Sequence, residues 1–218
     1  MKRIDLQIEY CLHEIIFPKC RISSREELLI ILLETLRYAL IAEKIPENSR
    51  EENRIVIFVD DMQRIFYFSE KKFYSITLPF KLQINNEDIS FSYEGIDIDH
   101  KFISEAIAFF KSDYYISRSP YDFITPIDRI LDEGDENFWK IIRYLLTFDI
   151  GYVRYDDDEI GFKKAEKKGY AQKHPRFHLD VNYSNQATYK LGLLNKLKYL
   201  DFIQILDNKT DRWKLDNK

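Results

Sequence analysis

The sequence predicts an α+β protein: N-terminal helices, a central antiparallel meander, a helical segment, and antiparallel strands towards the C-terminus. Three observations predict it. Apolar residues recur at helical spacing over the first forty-five residues. Between Ile55 and Tyr93 the pattern changes to short runs rich in β-branched and aromatic residues, broken by charged or Asn-rich stretches. The helical period returns near His100 and yields again to strand-like runs after Gly151.

The first helix is expected from Ile4 to Phe17, where Ile4, Ile8, Cys11, Leu12, Ile15 and Ile16 share one face and Pro18 ends the run. Ser23 and Ser24, each followed three residues on by Glu26 and Glu27, are capping signals for a second helix. Its body, Leu28 to Ile45, is apolar almost all round, which places it at the centre of a core or, alternatively, under a partner chain. The meander strands are Ile55–Val59, Arg64–Phe68, Phe73–Leu78, Lys81–Ile84 and Ile89–Tyr93. In the last of these Ser90 and Ser92 alternate with Ile89, Phe91 and Tyr93, the mark of one solvated face. Asp99 is placed to cap a helix from His100 to Lys111. A short helical piece is expected between Pro120 and Leu131, and a further helix over Phe138–Leu146. Three strands follow, Gly151–Asp156, Arg176–Tyr183 and Thr188–Leu193. After them come a turn or short helix at Leu194–Leu200 and a closing hairpin of Phe202–Leu206 with Arg212–Leu215. All 218 residues are expected in one domain, with 112–120 the place where it would subdivide.

Composition narrows the class. Hydrophobic residues at 45% and charged residues at 32% are those of a globular chain with enough apolar surface for a core. Net charge is −4, yet residues 151–218 hold 14 Lys and Arg against 10 Asp and Glu, so the acidic excess lies in the earlier part. Such a balance is unlike that of a dedicated nucleic-acid binder. Cys11 and Cys20 have no partner at metal spacing and are expected as buried thiols in a reducing compartment. Acids interrupt the N-terminal apolar run, and the longest apolar stretch, Leu28 to Leu33, is too short to span a bilayer. A cytoplasmic protein without membrane contact is expected.

Chemistry-bearing residues gather between 150 and 193. The two-residue period of a strand puts Tyr152, Arg154 and Asp156 on one face, and His178, Asp180 and Asn182 on one face of the next strand. A turn at Ser184–Ala187 would set that second row across from Thr188 and Lys190. His174, Pro175, His178 and Asp180 form a His-x-x-x-His-x-Asp pattern whose nitrogen and oxygen donors suit zinc, manganese or a similar divalent ion. His174, His178 and Asp180 are therefore candidate metal ligands. His178, Asp180, Lys190 and Arg154 are the candidate catalytic set, the two cations neutralising phosphate in a metal-assisted hydrolysis. The alternative is a solvated sheet face with ordinary cross-strand pairs. Between the first two strands a loop carries Lys163, Lys164, Lys167, Lys168 and Lys173, joined by Arg176, against the single acid Glu166. These six residues are the candidate nucleic-acid contacts. No Gly-rich phosphate loop, Gly-x-Ser-x-Gly elbow or Cys-x-x-Cys pair is present.

An Arg-Tyr-Asp strand (Arg154, Tyr155, Asp156) followed by His-Pro-x-x-His (His174, Pro175, His178) resembles a family of uncharacterised bacterial proteins. Genes of that family tend to sit in mobile or defence-related loci. Asp180 stands where another His is common in the pattern. That family has no established activity. The apolar second helix, the uneven charge and the lack of a strong catalytic motif instead lead to the expectation of an accessory or adaptor subunit of a bacterial defence-type assembly, working with a protein partner or as a homo-oligomer and contacting nucleic acid. A metal-dependent phosphodiesterase or nuclease is the alternative.

Overall fold

The computed structural model describes residues 3–46, 53–59, 62–85, 88–112, 135–184 and 187–211. Among them are six helices and ten strands in antiparallel sheets, the α+β architecture that the sequence predicts. They divide into two compact units, one made of residues 1–8, 44–78 and 150–218, the other of 9–43 and 79–149. Among the described residues no helix is long and apolar enough to cross a membrane.

The first unit is a seven-stranded sheet. Its strands are β1 (Arg3–Gln7), β2 (Arg54–Phe58), β3 (Arg64–Phe68), β4 (Lys72–Thr77), β8 (Val153–Asp157), β9 (Phe177–Val181) and β10 (Tyr189–Leu193), in that spatial order and antiparallel throughout. Helix α5 (Glu159–Lys167) and a 3₁₀ turn (Ala171–Lys173) connect β8 to β9, and helix α6 (Tyr199–Leu206) follows β10. One face of the sheet is a core of Val56, Phe58, Phe66, Phe68, Phe73, Tyr155 and Leu179. Phe202 and Ile203 of α6 pack into it, the Phe202 ring meeting Phe66 edge-on at 6.0 Å and Phe68 at 6.4 Å. Full burial of such a ring stabilises by about 1.5–3 kcal/mol.

The second unit holds α1 (Tyr10–Ile16), α2 (Arg25–Ala39), a three-stranded sheet of β5 (Lys81–Asn85), β6 (Asp88–Tyr93) and β7 (Ile96–Asp97), then α3 (His100–Lys111) and α4 (Glu136–Thr147). Ser24 caps α2 by accepting from the Glu27 amide at 3.2 Å, while the Glu27 carboxylate accepts from the Ser23 amide at 2.8 Å. The body of α2 is buried nearly all round, as its composition requires. Asp99 caps α3, accepting from the Phe102 amide at 2.8 Å. Ser90 of β6 faces out, and Ile89 and Phe91 face in.

Four expectations are corrected. Residues 4–17 are not one helix: Arg3–Gln7 is a strand, because Ile4 and Leu6 have β2 to pair with, and α1 begins only at Tyr10. Lys81–Ile84 and Ile89–Tyr93 leave the meander and form the separate small sheet. Phe202–Leu206 is helical, since Tyr199, Phe202, Ile203 and Leu206 fall at helical spacing on the core. Cys11 and Cys20 are exposed, Cys11 lying on the outer side of α1. The expected helical piece at 120–131 and strand at Arg212–Leu215 lie outside the described residues.

Candidate functional site: a polar row across three strands

Cross-strand register builds the site. Arg154 of β8 stands opposite Asp180 of β9, and Asp180 opposite Lys190 of β10. One step along, Lys72 of β4 stands opposite Asp156, Asp156 opposite His178, and His178 opposite Gly192. The strand period thus brings His178, Asp180, Lys190 and Arg154 together and adds Asp156 and Lys72. Asp156 was legible on the face of Arg154. Lys72 was not, because only the pairing of β4 with β8 brings it here.

Apart from Lys190 and Lys72 at its ends, the row is buried, not solvated. His178 and Asp180 are each 1% exposed, and Arg154 and Asp156 are buried beside them. Charge at such depth is tolerable only when paired. The Arg154 guanidinium bridges both carboxylates, with Nε 2.7 Å from Asp156 Oδ2 and Nη2 2.5 Å from Asp180 Oδ2. Lys190 Nζ lies 2.9 Å from the other oxygen, Asp180 Oδ1. Burial opposes ionisation of Asp156, yet the hydrogen bond with His178 and the charges of Arg154 and Lys72 hold its pKa below the ordinary carboxylate value. Burial also opposes the charge of Arg154, which Asp156, Tyr152 and Asp180 more than restore. Tyr152 is pushed up to about 12, chiefly by burial, with Arg154 pulling the other way.

His178 is oriented by its backbone neighbour. The Pro175 carbonyl can only accept, so His178 Nδ1 carries the proton donated to it at 2.8 Å, and Nε2 faces Asp156 Oδ2 at 3.5 Å. Gly192 is required here, since a Cβ at that position would sit 2.8 Å from Pro175 Cγ. Asn182 leaves the row: its backbone turns left-handed at φ 71°, and its Oδ1 accepts from the Tyr183 amide at 2.7 Å. Thr188 is likewise drawn to the turn, donating to the Asn182 carbonyl at 2.7 Å.

Asp156, His178 and Asp180 present one donor atom each within 4.8 Å of one another, a set that could hold a divalent ion. His174 is not part of that set. Its Nε2 donates to Asp158 Oδ2 at 2.8 Å, and its ring centroid is 5.3 Å from that of His178. A side chain on Gly161 would collide with both members of the His174–Asp158 pair, which explains glycine inside α5.

The segment expected as a basic loop is mostly helix. Asp158 caps α5 by accepting from the Gly161 amide at 2.8 Å, which stabilises the turn from which the lysines project. Lys163, Lys164, Lys167 and Lys168 then fall on one exposed side at i, i+1, i+4 and i+5, and Lys173 is exposed on the 3₁₀ turn. Lys163 pairs with Glu159 at 2.5 Å. Arg176 is committed to Asp157 at 2.8 Å, lies over the Phe177 ring at 4.9 Å, and also reaches Glu159, the acid that Lys163 pairs with. No protein-family model, no curated protein and no solved structure matches this chain.

Proposed function

We propose that the chain is a non-catalytic accessory or adaptor subunit of a bacterial defence-type assembly, one that engages a protein partner and makes its nucleic-acid contact through α5. The observation that carries the nucleic-acid contact is the lysine face of that helix. Lys164, Lys167, Lys168 and Lys173 are exposed and form no ion pair among the described residues. Free ammonium groups at helical spacing can meet successive phosphates without first breaking an internal contact, and the attraction is blind to sequence. A non-catalytic role is favoured because the acids that would do chemistry are already neutralised by Arg154 and Lys190.

Titration of labelled single- and double-stranded oligonucleotides over a salt series tests this. Binding should weaken as salt rises, with a log–log slope of roughly −3 to −4 for the four unpaired lysines on duplex. The triple variant Lys164→Glu, Lys167→Glu, Lys168→Glu should lose at least about tenfold in affinity and flatten that slope. Absence of binding at low salt, or a variant that binds like the parent, rejects the reading.

A second reading, a metal-dependent phosphodiesterase, has one observation in its favour: the mutual approach of donor atoms from Asp156, His178 and Asp180. Arg154 would have to swing off both carboxylates for an ion to enter between them. Elemental analysis after manganese or zinc loading, with a cleavage assay on the parent and on His178→Ala, decides it. Metal retained by the parent and lost with His178→Ala, together with metal-dependent cleavage, would favour the enzyme.

A further inference from the structure

The two edges of the seven-stranded sheet are finished differently. At β1 the edge is covered: Leu6 bridges to Lys44, and the Ile45 amide donates to the Asp5 carbonyl at 2.9 Å. At the other edge β10 pairs with β9, and no other strand among the described residues runs along its outer side. Tyr189 is 61% exposed, Lys190 and Gly192 are exposed, and Leu194, the next residue after the strand, is 91% exposed. An open edge is a row of unpaired amides and carbonyls, which proteins ordinarily blunt with proline, bulges or outward charge. Proline is absent from β10, and its one charge, Lys190, is drawn to Asp180 at 2.9 Å.

We propose that β10 is a pairing edge for a second copy of this chain, two β10 strands meeting antiparallel about a two-fold axis at Leu191. The strand is self-complementary in that register. Tyr189 would face Leu193 of the partner subunit, and Leu191 would face Leu191 of the partner subunit. These are the residues that already share the apolar face, where Leu191 and Leu193 pack beside Leu179 and Phe202. Lys190 would face Gly192 of the partner subunit, a position without a side chain. Centring the axis on Lys190 instead would set two ammonium groups directly opposite, which is destabilising. Charge therefore disfavours that register, and an isologous contact about Leu191 closes after two copies, leaving no open β10 edge. Five paired residues per chain fall short of a standard interface of roughly 1,600 Å², so the dimer should dissociate on dilution. This contact is independent of the lysine face of α5.

Sedimentation velocity of the full chain, over a concentration series reaching millimolar, tests the pairing. A reversible monomer–dimer equilibrium is expected. Tyr189→Lys should abolish it while leaving the circular dichroism spectrum and melting temperature unchanged, because Tyr189 is largely exposed. As a positional readout, Leu191→Cys in a Cys11→Ser, Cys20→Ser background should oxidise to a disulfide-linked dimer, whereas Leu200→Cys in that background should not. A chain that stays monomeric throughout overturns the proposal. So does a dimer that survives Tyr189→Lys and fails to cross-link through position 191.

Discussion

Arg154 is the side chain on which the polar row depends, because one guanidinium bridges two buried acids at once. Truncating it leaves Asp156 and Asp180 with too little compensating charge, and breaking a buried pair of this kind costs roughly 3–5 kcal/mol. Arg154→Ala should therefore lower the urea midpoint sharply with little change in slope, as read by equilibrium denaturation. Asp156 makes a distinct prediction. Its pKa in the folded chain lies below the ordinary carboxylate value, so the unfolded chain takes up its proton first as pH falls. The stability it contributes is complete above the ordinary carboxylate pKa and is lost as pH drops through the depressed one. Denaturation midpoints measured from neutral pH down through the carboxylate range should fall for the parent, and Asp156→Asn should flatten that fall. Apart from Lys72, the residues of the row were legible in the sequence, since strand periodicity alone aligns Arg154 with Asp156 and His178 with Asp180. Their burial was not legible, because a polar row reads the same whether water or protein covers it.

At the scale of elements, local chemistry decided some structures and partners decided others. The capping residues Ser24 and Asp99 act within a few residues of themselves, so the starts of α2 and α3 follow directly from sequence, whereas Asp158 caps a helix in a segment expected as a loop. Phe202–Leu206 reads as a strand because, with Tyr199 left out, it is a short apolar run broken only by Gln204, too short for its period to separate strand from helix. Inclusion of Tyr199 restores the helical spacing, and the tertiary core supplies what Phe202 and Ile203 bury against. Phe202→Ala should remove a ring that meets Phe66, Phe68 and Phe73, at a cost of roughly 3–5 kcal/mol. A matching drop in melting temperature by differential scanning calorimetry checks it. If α6 merely rested on the surface, the change would be within about 0.5 kcal/mol.

At the scale of the whole molecule, neither unit is continuous in sequence. The first takes residues from three stretches of chain and the second from two. The seven-stranded sheet pairs β4 with β8 although residues 79–149 separate them in the chain, with Tyr74 opposite Arg154 and Phe73 opposite Tyr155. A fragment ending at Asp149 lacks β8, β9, β10 and α6, so Phe73 loses the Tyr155 and Phe202 rings and β4 becomes an open edge. Expressed alone, that fragment should aggregate or show no slow-exchanging amides in β3 and β4, as hydrogen exchange would report. Protection equal to that of the full chain would show that the late strands are dispensable.

The sequence by itself determined the fold class, the caps of α2 and α3, the burial of α2 and the alignment of polar side chains along each late strand. Each of these depends on residues within a turn or two of one another, where periodicity and hydrogen-bonding reach suffice. Tertiary structure alone decided that Arg3–Gln7 is a strand, that Lys72 joins the polar row and that His174 turns to Asp158. It also decided that the carboxylates are closed by Arg154 and Lys190. The physical reason is that strand pairing and ion pairing are contacts between distant parts of a chain, and no local pattern encodes which partner arrives.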